Sequence, residues 1–566
     1  MRKILILALG LIIFTSCVDL DLNPLSYGSS DSWFSTAEEV DMSLNGLYKS
    51  AFIGNDEDEW TDDYFTRNTP SPLITGTLNS QTDFVINYWI LSYKAIERAN
   101  AILGGIDKAK NTMTANMYAK YKAEALFIRA YQYSRLISHF GDVPYYTNVL
   151  TLEESFSLKR IDKNTILRAI YEDFDSAATY LPISYSASEI KRATRGAAYA
   201  LKARIALYMG DFSIARDAAK ACMDLNVYDL NTDFETLFLS KTKNAKETVF
   251  GIPRSIALGY PLDNTRYYCM ARISRNAGGY CGINPSWELF CSFLCTDGME
   301  IDKSPLFDPH NPFQNRDPRC TVTIAEFQTP YLGYMFNPHP DSLKSLNLST
   351  NVMVDNKDCR SVNQYASYNG MVWKKGVDKD WLLNGYRIEP DKVIIRYADV
   401  LLIFAEAKIE LNETDQEAKD AINKVRARAY KVNYTQTTSY PGVVATSQQD
   451  LRKIIRTERR MEFVFEGLRY MDLIRWKLAG KALNRDNFGL LDPAELLTKV
   501  VSQGLWFFPQ VPVIDADGLP DFSSMYSTGL IKQLSIRTFD ESRQYLWPIP
   551  LTDILTNKNL TQNPNY

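Results

Sequence analysis

The chain has 566 residues, of which 45% are apolar and 23% are charged, and its formal net charge is −4 at pH 7. This length predicts several domain-sized units or one large body built from repeats, with a sizeable core. The slightly acidic balance argues against non-specific binding to DNA or RNA, which requires a basic surface. From the N-terminus onward, we divide the sequence into four segments: 1–16, 17–230, 231–390 and 391–566.

The first segment has the features of a bacterial lipoprotein signal peptide. Two basic residues precede an apolar run, residues 4–14, and a short step of small residues leads to Cys17. Such a run is too short to span a bilayer, but it suits the core of a signal peptide. We therefore predict lipid attachment at Cys17; the alternative is an ordinary signal peptide with an incidental cysteine. No later stretch has the ~18 apolar residues of a membrane span.

Segment 17–230 is dominated by helical periodicity after a turn-rich tether. One helix is predicted from Tyr118 to about Ser138, with Gly141 and Pro144 ending it. The stretch "TRGAAYALKARIALYMGDFSIARDAAKACMDL" contains two helices around a Gly-Asp turn. Small alanines on the facing sides allow close approach, which is typical of a tetratricopeptide-like unit. Segment 391–566 repeats the pattern in "IRYADVLLIFAEAKIEL" and "DQEAKDAINKVRARA".

Segment 231–390 differs in character. Pro, Gly, Asn and single aromatic residues alternate with short β-branched runs such as "TVTIA". Long loops of this kind are usually functional or disordered, and the apolar content here is too high for disorder. We interpret the segment as an irregular domain laid on the helical scaffold. The predicted fold class is mostly α: an interrupted tetratricopeptide-like helical scaffold with a large irregular, loop-rich region and short strands.

Metal and cofactor sites find little support in the sequence. Seven cysteines follow Cys17, an odd number, so at least one is unpaired or bonded to another chain. Cys291 and Cys295 lie one helical turn apart, which fits either a soft metal pair or small apolar filling, and their aromatic neighbours favour filling. Six acidic residues in 55–65 could form a calcium site, although a solvated acidic loop is favoured. We predict no cofactor and no metal.

Catalytic motifs are also missing. The chain has no GxSxG, HExxH, Walker A or GxGxxG pattern and only three histidines. The stretch "IIRTERRMEFVFEGLRYMDLIRWK", residues 454–477, resembles an active site in its density of charge. On a helix, its opposite charges fall three residues apart and would pair locally. Nearby arginines would keep its glutamates ionised, which disfavours a proton donor, so we favour a structural role.

That stretch carries a family resemblance. It is similar to the "ER…E…EG.R..DL.RW" signature of the SusD/RagB family, the surface lipoproteins of Bacteroidetes nutrient uptake. Further motifs follow in the family's order: "YWILSYKAIERANAIL", "AEALFIRAYQYSRLISHFGDVPYY", "RGAAYALKARIALYMGD", "NRDPR", "IIRYADVLLIFAEAKIEL" and "YLWPIPLTDILTNKNLTQNPNY". Together they cover essentially the whole mature chain.

The resemblance implies a non-enzymatic binding protein. Such proteins are lipid-anchored and exposed on the outer membrane, where they capture oligosaccharides and deliver them to a SusC-like, TonB-dependent transporter barrel. The resemblance further implies that loops carry the ligand while the helices face the transporter. Three alternatives stay open: RagB-like peptide capture on the same fold, a glycoside hydrolase that uses only carboxylates, and a helical scaffold protein without a small ligand.

Flat rings in the loops are the candidate ligand contacts, because an indole or phenol covers the apolar face of a sugar at little entropic cost. The candidates are Trp60, Tyr64, Tyr267, Tyr268 and Trp381. Trp60 and Trp381 stand among polar residues, where a core indole is less expected, although a core role remains the alternative. Hydrogen-bonding partners for the sugar rim are predicted at Asp62, Asp63, Asn264 and Arg266.

Overall fold

The computed structural model describes residues 33–186, 192–262, 265–383 and 385–566. The signal peptide and Cys17 therefore lie outside the described residues, as does Asn264. The helices are α1 (Ala37–Asn45), α2 (Asp83–Gly105), α3 (Ala115–Phe140), α4 (Leu152–Ser157), α5 (Lys163–Tyr180), α6 (Arg195–Met209), α7 (Phe212–Met223), α8 (Thr265–Arg272), α9 (Trp287–Ser292), α10 (Arg319–Thr323), α11 (Tyr397–Glu410), α12 (Gln416–Ala429), α13 (Gln448–Glu462), α14 (Arg469–Arg475), α15 (Ala479–Ala482), α16 (Pro493–Lys499), α17 (Ser523–Ser527) and α18 (Leu551–Thr556).

The strands are short, and most of them pair as isolated antiparallel ribbons. They are β1 (Tyr64–Thr66), β2 (Val143–Pro144), β3 (Arg160–Ile161), β4 (Thr248–Ile252), β5 (Ile283–Pro285), β6 (Thr329–Tyr331), β7 (Tyr334–Phe336), β8 (Lys344–Asn347), β9 (Val352–Asp355), β10 (Lys392–Arg396), β11 (Asn487–Gly489), β12 (Val513–Ile514), β13 (Pro520–Asp521) and β14 (Lys532–Ser535). β6–β9 form a four-stranded sheet in chain order. The run "TVTIA" is not a strand: it lies mainly in α10, and only Ile324 makes a single bridge, to Trp373.

The helical scaffold is a row of packed helices. α2 packs on α3, α3 on α5, α5 on α6, α6 on α7, α7 on α11, and α11 on α12 and α13. Local signals set the ends: Thr194 caps α6, and Gly210 ends it with φ +80°, a left-handed conformation that favours glycine. α7 and α11 touch although a long stretch of chain separates them, so the interrupted repeats rejoin in space. The predicted mostly helical fold class is confirmed.

The irregular region is inserted between α7 and α11 and closed at its base by two strands. β4, at its start, pairs with β10, at its end, with Lys392 opposite Ile252. A second ribbon, β1 with β5, ties the region to the N-terminal part of the chain, with Thr66 opposite Ile283. Strand pairing therefore joins the two ends of the irregular region to each other and attaches the region to the N-terminal part of the chain.

All seven cysteines after Cys17 are buried, and each is a free thiol without a disulfide bond. Cys291 and Cys295 lie in an apolar cluster with Trp287 and Phe290, where they fill space, as predicted. Within the described residues, no group of three or more His, Cys, Asp or Glu side chains is arranged to hold a metal ion. Across the same residues, every helix is too short or too polar to cross a membrane.

Candidate ligand-binding cleft

The charged stretch 454–477 lies inside the protein rather than on its surface. Glu462 is fully buried, and its oxygens accept from the guanidinium groups of Arg319, Arg396 and Arg428. Although burial opposes ionisation, these three arginines hold the pKa of Glu462 well below its usual range. Glu458 is also fully buried and pairs with Arg319 at 2.8 Å. The lowered pKa makes Glu462 unsuitable as a proton donor.

The predicted local pairing within this stretch is largely wrong. Of the charges three residues apart, only Asp472 and Arg475 form an ion pair, at 2.7 Å, and Asp472 also pairs with the more distant Arg459 at 2.9 Å. Arg459 instead reaches Asp399 on α11 at 2.9 Å, and Glu466 pairs with Arg396 at 2.7 Å. Two features explain this. The helix is broken between Glu462 and Arg469, so helical spacing does not apply to Glu466, and inside the core each long side chain meets charges from other elements.

Asp62 and Asp63 belong to this buried network, so the expectation that they contact ligand is corrected. Both are about 1% exposed. Asp62 pairs with Arg469 and Arg460, each at 2.9 Å, and Asp63 pairs with Arg460 at 2.6 Å. Although burial acts in the opposite direction, the two arginines hold the pKa of Asp62 far below its usual range. These bonds clamp the start of β1, and with it the acidic segment just before it, onto α13 and α14.

Gly467 brings the acidic segment into direct contact with the charged stretch. Its φ is +71°, and a Cβ at this position would lie 2.1 Å from the backbone oxygen of Asp56. Its amide donates to an Asp58 carboxylate oxygen at 3.3 Å. Any residue other than glycine would push the two segments apart, because neither the φ nor the space accepts a side chain.

A cleft with a cavity volume of about 530 Å³ lies where these segments meet the irregular region. This volume is in the usual range for small-ligand sites. Aromatic rings line much of its wall: Tyr64, Phe238, Tyr267, Tyr268, Trp373, Trp381 and Phe465. Charged groups of both signs complete it: Asp56, Glu57, Asp58, Glu59, Arg254, Arg272, Lys375, Asp391, Lys392 and Glu466.

Arg272 lies between two of these rings. Its guanidinium carbon is 3.7 Å from the centroid of the Tyr268 ring and 4.9 Å from that of Trp373. Trp373 in turn stacks on Phe465, with 3.4 Å between ring centroids. Arg272 donates one hydrogen bond, to the Tyr268 backbone oxygen at 3.2 Å, while its Nε–H is buried without an acceptor among the described residues. Within those residues, no carboxylate lies within 4 Å of it, so a planar, fixed donor faces the cleft.

One part of the cleft wall, formed by Glu57, Asp58 and Glu59, is acidic. Burial raises the pKa of Glu57, Asp58 and Glu59, and neighbouring carboxylates raise the first two further. Arg272 acts against this shift for Glu57 and Glu59, which places it within electrostatic reach of both. The cleft thus combines apolar rings with carboxylate acceptors and a guanidinium donor, the groups that match the faces and hydroxyl rim of a sugar.

Four of the five predicted contact residues come together here. Tyr64, Tyr267, Tyr268 and Trp381 all line the cleft, with Tyr267 the most open at 45% exposure. Trp381 is 2% exposed, and its indole N–H donates to the Gly376 oxygen at 2.9 Å.

Trp60 is the exception, and its prediction is corrected. It is 4% exposed and packs against Phe84, Tyr470 and Trp547 with centroid distances of 5.1 to 5.7 Å. Its partner rings come from other parts of the sequence, and two of the acidic neighbours on which the prediction rested, Asp62 and Asp63, are themselves buried in ion pairs. Arg266 is exposed and lies outside the cleft lining.

The sequence analysis did not identify Arg272, Trp373 or the acidic wall as parts of the site. One usable signal existed: Tyr268 and Arg272 are four residues apart on α8, the spacing at which side chains on a helix meet. Glu57 and Glu59 had been interpreted as part of a solvated loop. Nothing local indicates that this loop forms the wall of a cavity.

The comparisons with known proteins identify the family. A family model described as "SusD family" matches residues 246–566. The chain belongs to the SusD family. A second model, described as "Starch-binding associating with outer membrane", matches residues 20–207. The resemblance inferred from the motifs is confirmed.

Relatives match over nearly the full length. A SusD-like protein of Formosa agariphila is 24% identical over 98% of both chains. A SusD-like carbohydrate-binding protein of Bacteroides fragilis is 27% identical, with a TM-score of 0.76 over 93% of this chain and 99% of that one. A laminarin-binding SusD-like protein is 19% identical, with a TM-score of 0.63 over 94% and 100%, and so shows the shared fold.

Proposed function

We propose that this SusD-family protein binds oligosaccharides in the cleft. The observation that carries the proposal is the lining of the cleft, where aromatic rings lie beside carboxylates and a guanidinium fixed by ring stacking. Aromatic planes cover the apolar C–H face of a sugar, and the charged groups bond its hydroxyls. The names of the similar proteins point the same way, since one binds carbohydrate and another binds laminarin.

Binding to a glycan panel tests this proposal. Purified protein lacking residues 1–17 is titrated calorimetrically with laminarin, starch and further plant and host polysaccharides. We expect saturable binding to at least one of them, weakened by Tyr267→Ala. Tyr526 is 46% exposed in α17, outside the cleft lining, so Tyr526→Ala is the matched control. Binding to oligopeptides but to no polysaccharide would favour RagB-like capture instead.

We further propose that the chain is a surface lipoprotein anchored through Cys17. The sequence before Cys17 and the outer-membrane description of the second family model support this. More than one acyl chain on a single cysteine would satisfy the requirement of two lipid signals for stable anchoring. Cys17→Ala should abolish labelling by radioactive palmitate and release the protein from membranes. Labelling that persists in the variant contradicts the anchor.

The proposed partner is a TonB-dependent outer-membrane barrel, to which the bound glycan passes. Family membership supports this step. Affinity purification of the tagged full-length protein from its native membrane should recover a large barrel with a plug domain in near-equal amount. Recovery of the lipoprotein without any barrel, under conditions that preserve other outer-membrane complexes, would remove the transfer step and leave binding alone.

A further inference from the structure

A patch of half-exposed tyrosines lies beside the mouth of the cleft. Tyr280 is 42% exposed and Tyr365 is 48% exposed, although both lie on loops that are well tied to the body. Tyr368 is half-buried, and its ring lies beside the same Arg67 guanidinium as the ring of Tyr365. We call Tyr280, Tyr365 and Tyr368 the tyrosine ledge. Large exposed rings grouped at one place are uncommon on a soluble surface and mark interaction sites.

Arg67 holds the ledge together. It directly follows β1, and its amide donates to the Gly282 oxygen at 2.8 Å. Its two terminal nitrogens donate to the backbone oxygens of Tyr365, at 2.7 Å, and Tyr280, at 2.9 Å. Its guanidinium carbon also lies 5.2 Å from the Tyr365 ring centroid and 5.7 Å from that of Tyr368. One side chain thus fixes both tyrosine loops, and it has no carboxylate within ion-pair distance in the described part of the chain.

The loop that carries Tyr280 has little freedom. Gly282 donates to the Ala271 oxygen at 2.8 Å, which closes the turn onto α8. A Cβ at Gly279 would lie 2.2 Å from the Ile273 oxygen, so the backbone is as close as glycine allows. A binding surface held this firmly loses little conformational freedom when it meets a ligand.

The ledge is continuous with the cleft. Asn68, the residue after Arg67, donates to the Tyr267 hydroxyl at 2.6 Å, and Tyr267 lines the cleft. Tyr64 on β1 and Ile283 on the paired strand β5 also line the cleft. The ribbon that supports the cleft wall therefore leads directly into Arg67 and the ledge.

We infer that the tyrosine ledge binds the sugar units of a long glycan that extends out of the cleft, so that the protein prefers polysaccharide to short oligosaccharides. This inference rests on the proposed glycan binding in the cleft. Tyrosine suits the task, because its ring covers an apolar sugar face and its hydroxyl bonds the rim. The ledge is continuous with the cleft through Asn68 and Tyr267, so the ligand on the ledge is the same glycan molecule that occupies the cleft.

Length dependence of binding is the test. Laminarin, starch and any other polysaccharide that binds are each compared with short oligosaccharides made from them by partial hydrolysis. The double variant Tyr280→Ala/Tyr365→Ala should lower affinity for the polysaccharide by about tenfold and leave affinity for the short fragments unchanged. Both side chains are half-exposed, so the melting temperature should stay close to that of the wild type.

Tyr180→Ala provides the matched control, since Tyr180 is 58% exposed at the end of α5. If the wild type binds short and long chains equally, or if the double variant keeps full affinity for polysaccharide, the ledge inference is overturned while glycan capture stands. If no saccharide binds the wild type at all, the proposed function itself fails. If the double variant only weakens co-purification with the barrel, the ledge belongs to a protein contact.

Discussion

Arg469 and Asp62 are joined by two hydrogen bonds of 2.9 Å, although 407 residues of sequence separate them. Neither side chain is more than 7% exposed. The pair, together with Arg460 and Asp63, fixes the beginning of β1 against α13 and α14. The acidic wall of the cleft begins a few residues before this anchor. The charge-rich stretch that looks catalytic in the sequence is therefore the support on which the cleft is assembled.

Arg469→Ala should lower stability far more than it lowers glycan affinity per folded molecule. The change leaves the buried Asp62 with less compensation, and breaking a buried pair in this way costs about 3–5 kcal/mol. Denaturant unfolding and calorimetric titration measure the two effects on the same samples. Lys499→Ala is the control, because Lys499 pairs with Glu495 in an exposed setting worth less than ~1 kcal/mol. A normal unfolding free energy with lost affinity would assign Arg469 to the ligand.

Arg272→Ala should have the opposite profile. Arg272 has no ion-pair partner within the described residues, so its removal leaves no buried carboxylate without a partner. Its guanidinium, stacked on Tyr268, is a hydrogen-bond donor in the cleft wall. We expect a loss of glycan affinity of about 1–3 kcal/mol, with a smaller loss of stability than for Arg469→Ala. Lysine should not restore binding, because it lacks the planar group that stacks between Tyr268 and Trp373.

Titration of Arg272→Ala and Arg272→Lys against the best polysaccharide measures this. Arg452→Ala is the control, since Arg452 pairs with Glu410 on the helical scaffold. Full affinity in the lysine variant would mean that Arg272 acts as a simple positive charge and that the stacking is incidental.

Local signals made the scaffold predictable. Gly141 and Gly210 end α3 and α6 as expected, and the alanines of α6 and α7 are buried where the helices meet. These features depend on neighbours within one or two helical turns, so a single sequence contains them. The packing of α7 on α11 also follows once each is seen as half of a repeat unit.

The cleft was predictable only in part, because its walls are built from distant segments. Tyr64, Tyr267, Tyr268 and Trp381 were chosen as rings on loops, and loops do form the cleft. The prediction that Trp60 contacts ligand was wrong, because rings that enclose it, such as that of Trp547, are hundreds of residues away in the sequence. The same distance hides the arginines that bind Asp62 and Asp63.

The glycan should leave the cleft intact. A carboxylate-only hydrolase needs one protonated acid and one free, ionised carboxylate that faces it. Glu57, Asp58 and Glu59 all have raised pKa values and share one short segment. Glu466, whose pKa is lowered by Arg396 and Lys375 against the effect of burial, has both oxygens occupied by those two side chains. The other two carboxylates of the lining, Asp56 and Asp391, lie 3.1 Å from His139 and 3.0 Å from Lys243.

Laminarin and starch are incubated with the protein for a long period and then analysed by chromatography. We expect no new reducing ends in either polysaccharide. Glu57→Gln and Glu59→Gln serve to identify contamination, because a co-purified hydrolase would act equally in the wild type and both variants. Turnover that disappears in either variant would make the protein an enzyme.

A buried carboxylate near the tyrosine ledge should give the protein a distinctive pH dependence. Asp358 accepts from the amides of Arg275, at 2.6 Å, and Asn276, at 3.3 Å, while its other oxygen has no partner among the described residues. Burial raises its pKa to about 6. In the unfolded chain an aspartate titrates near about 3.9, so between these values the folded state binds more protons. Stability therefore falls as pH rises from ~4 to ~6, by about 2–3 kcal/mol.

Asp358→Asn should abolish this component, because asparagine keeps an acceptor for the two amides and carries no charge. The unfolding free energies of wild type and variant are measured from pH 4 to pH 7, and their difference isolates Asp358 from every other titrating group. We expect that the wild type loses stability relative to the variant as the pH rises through ~6. Asp175→Asn, at an exposed pair with Lys202, controls for the loss of a surface carboxylate. A difference that is constant across this range would show that Asp358 is ionised in the folded protein throughout.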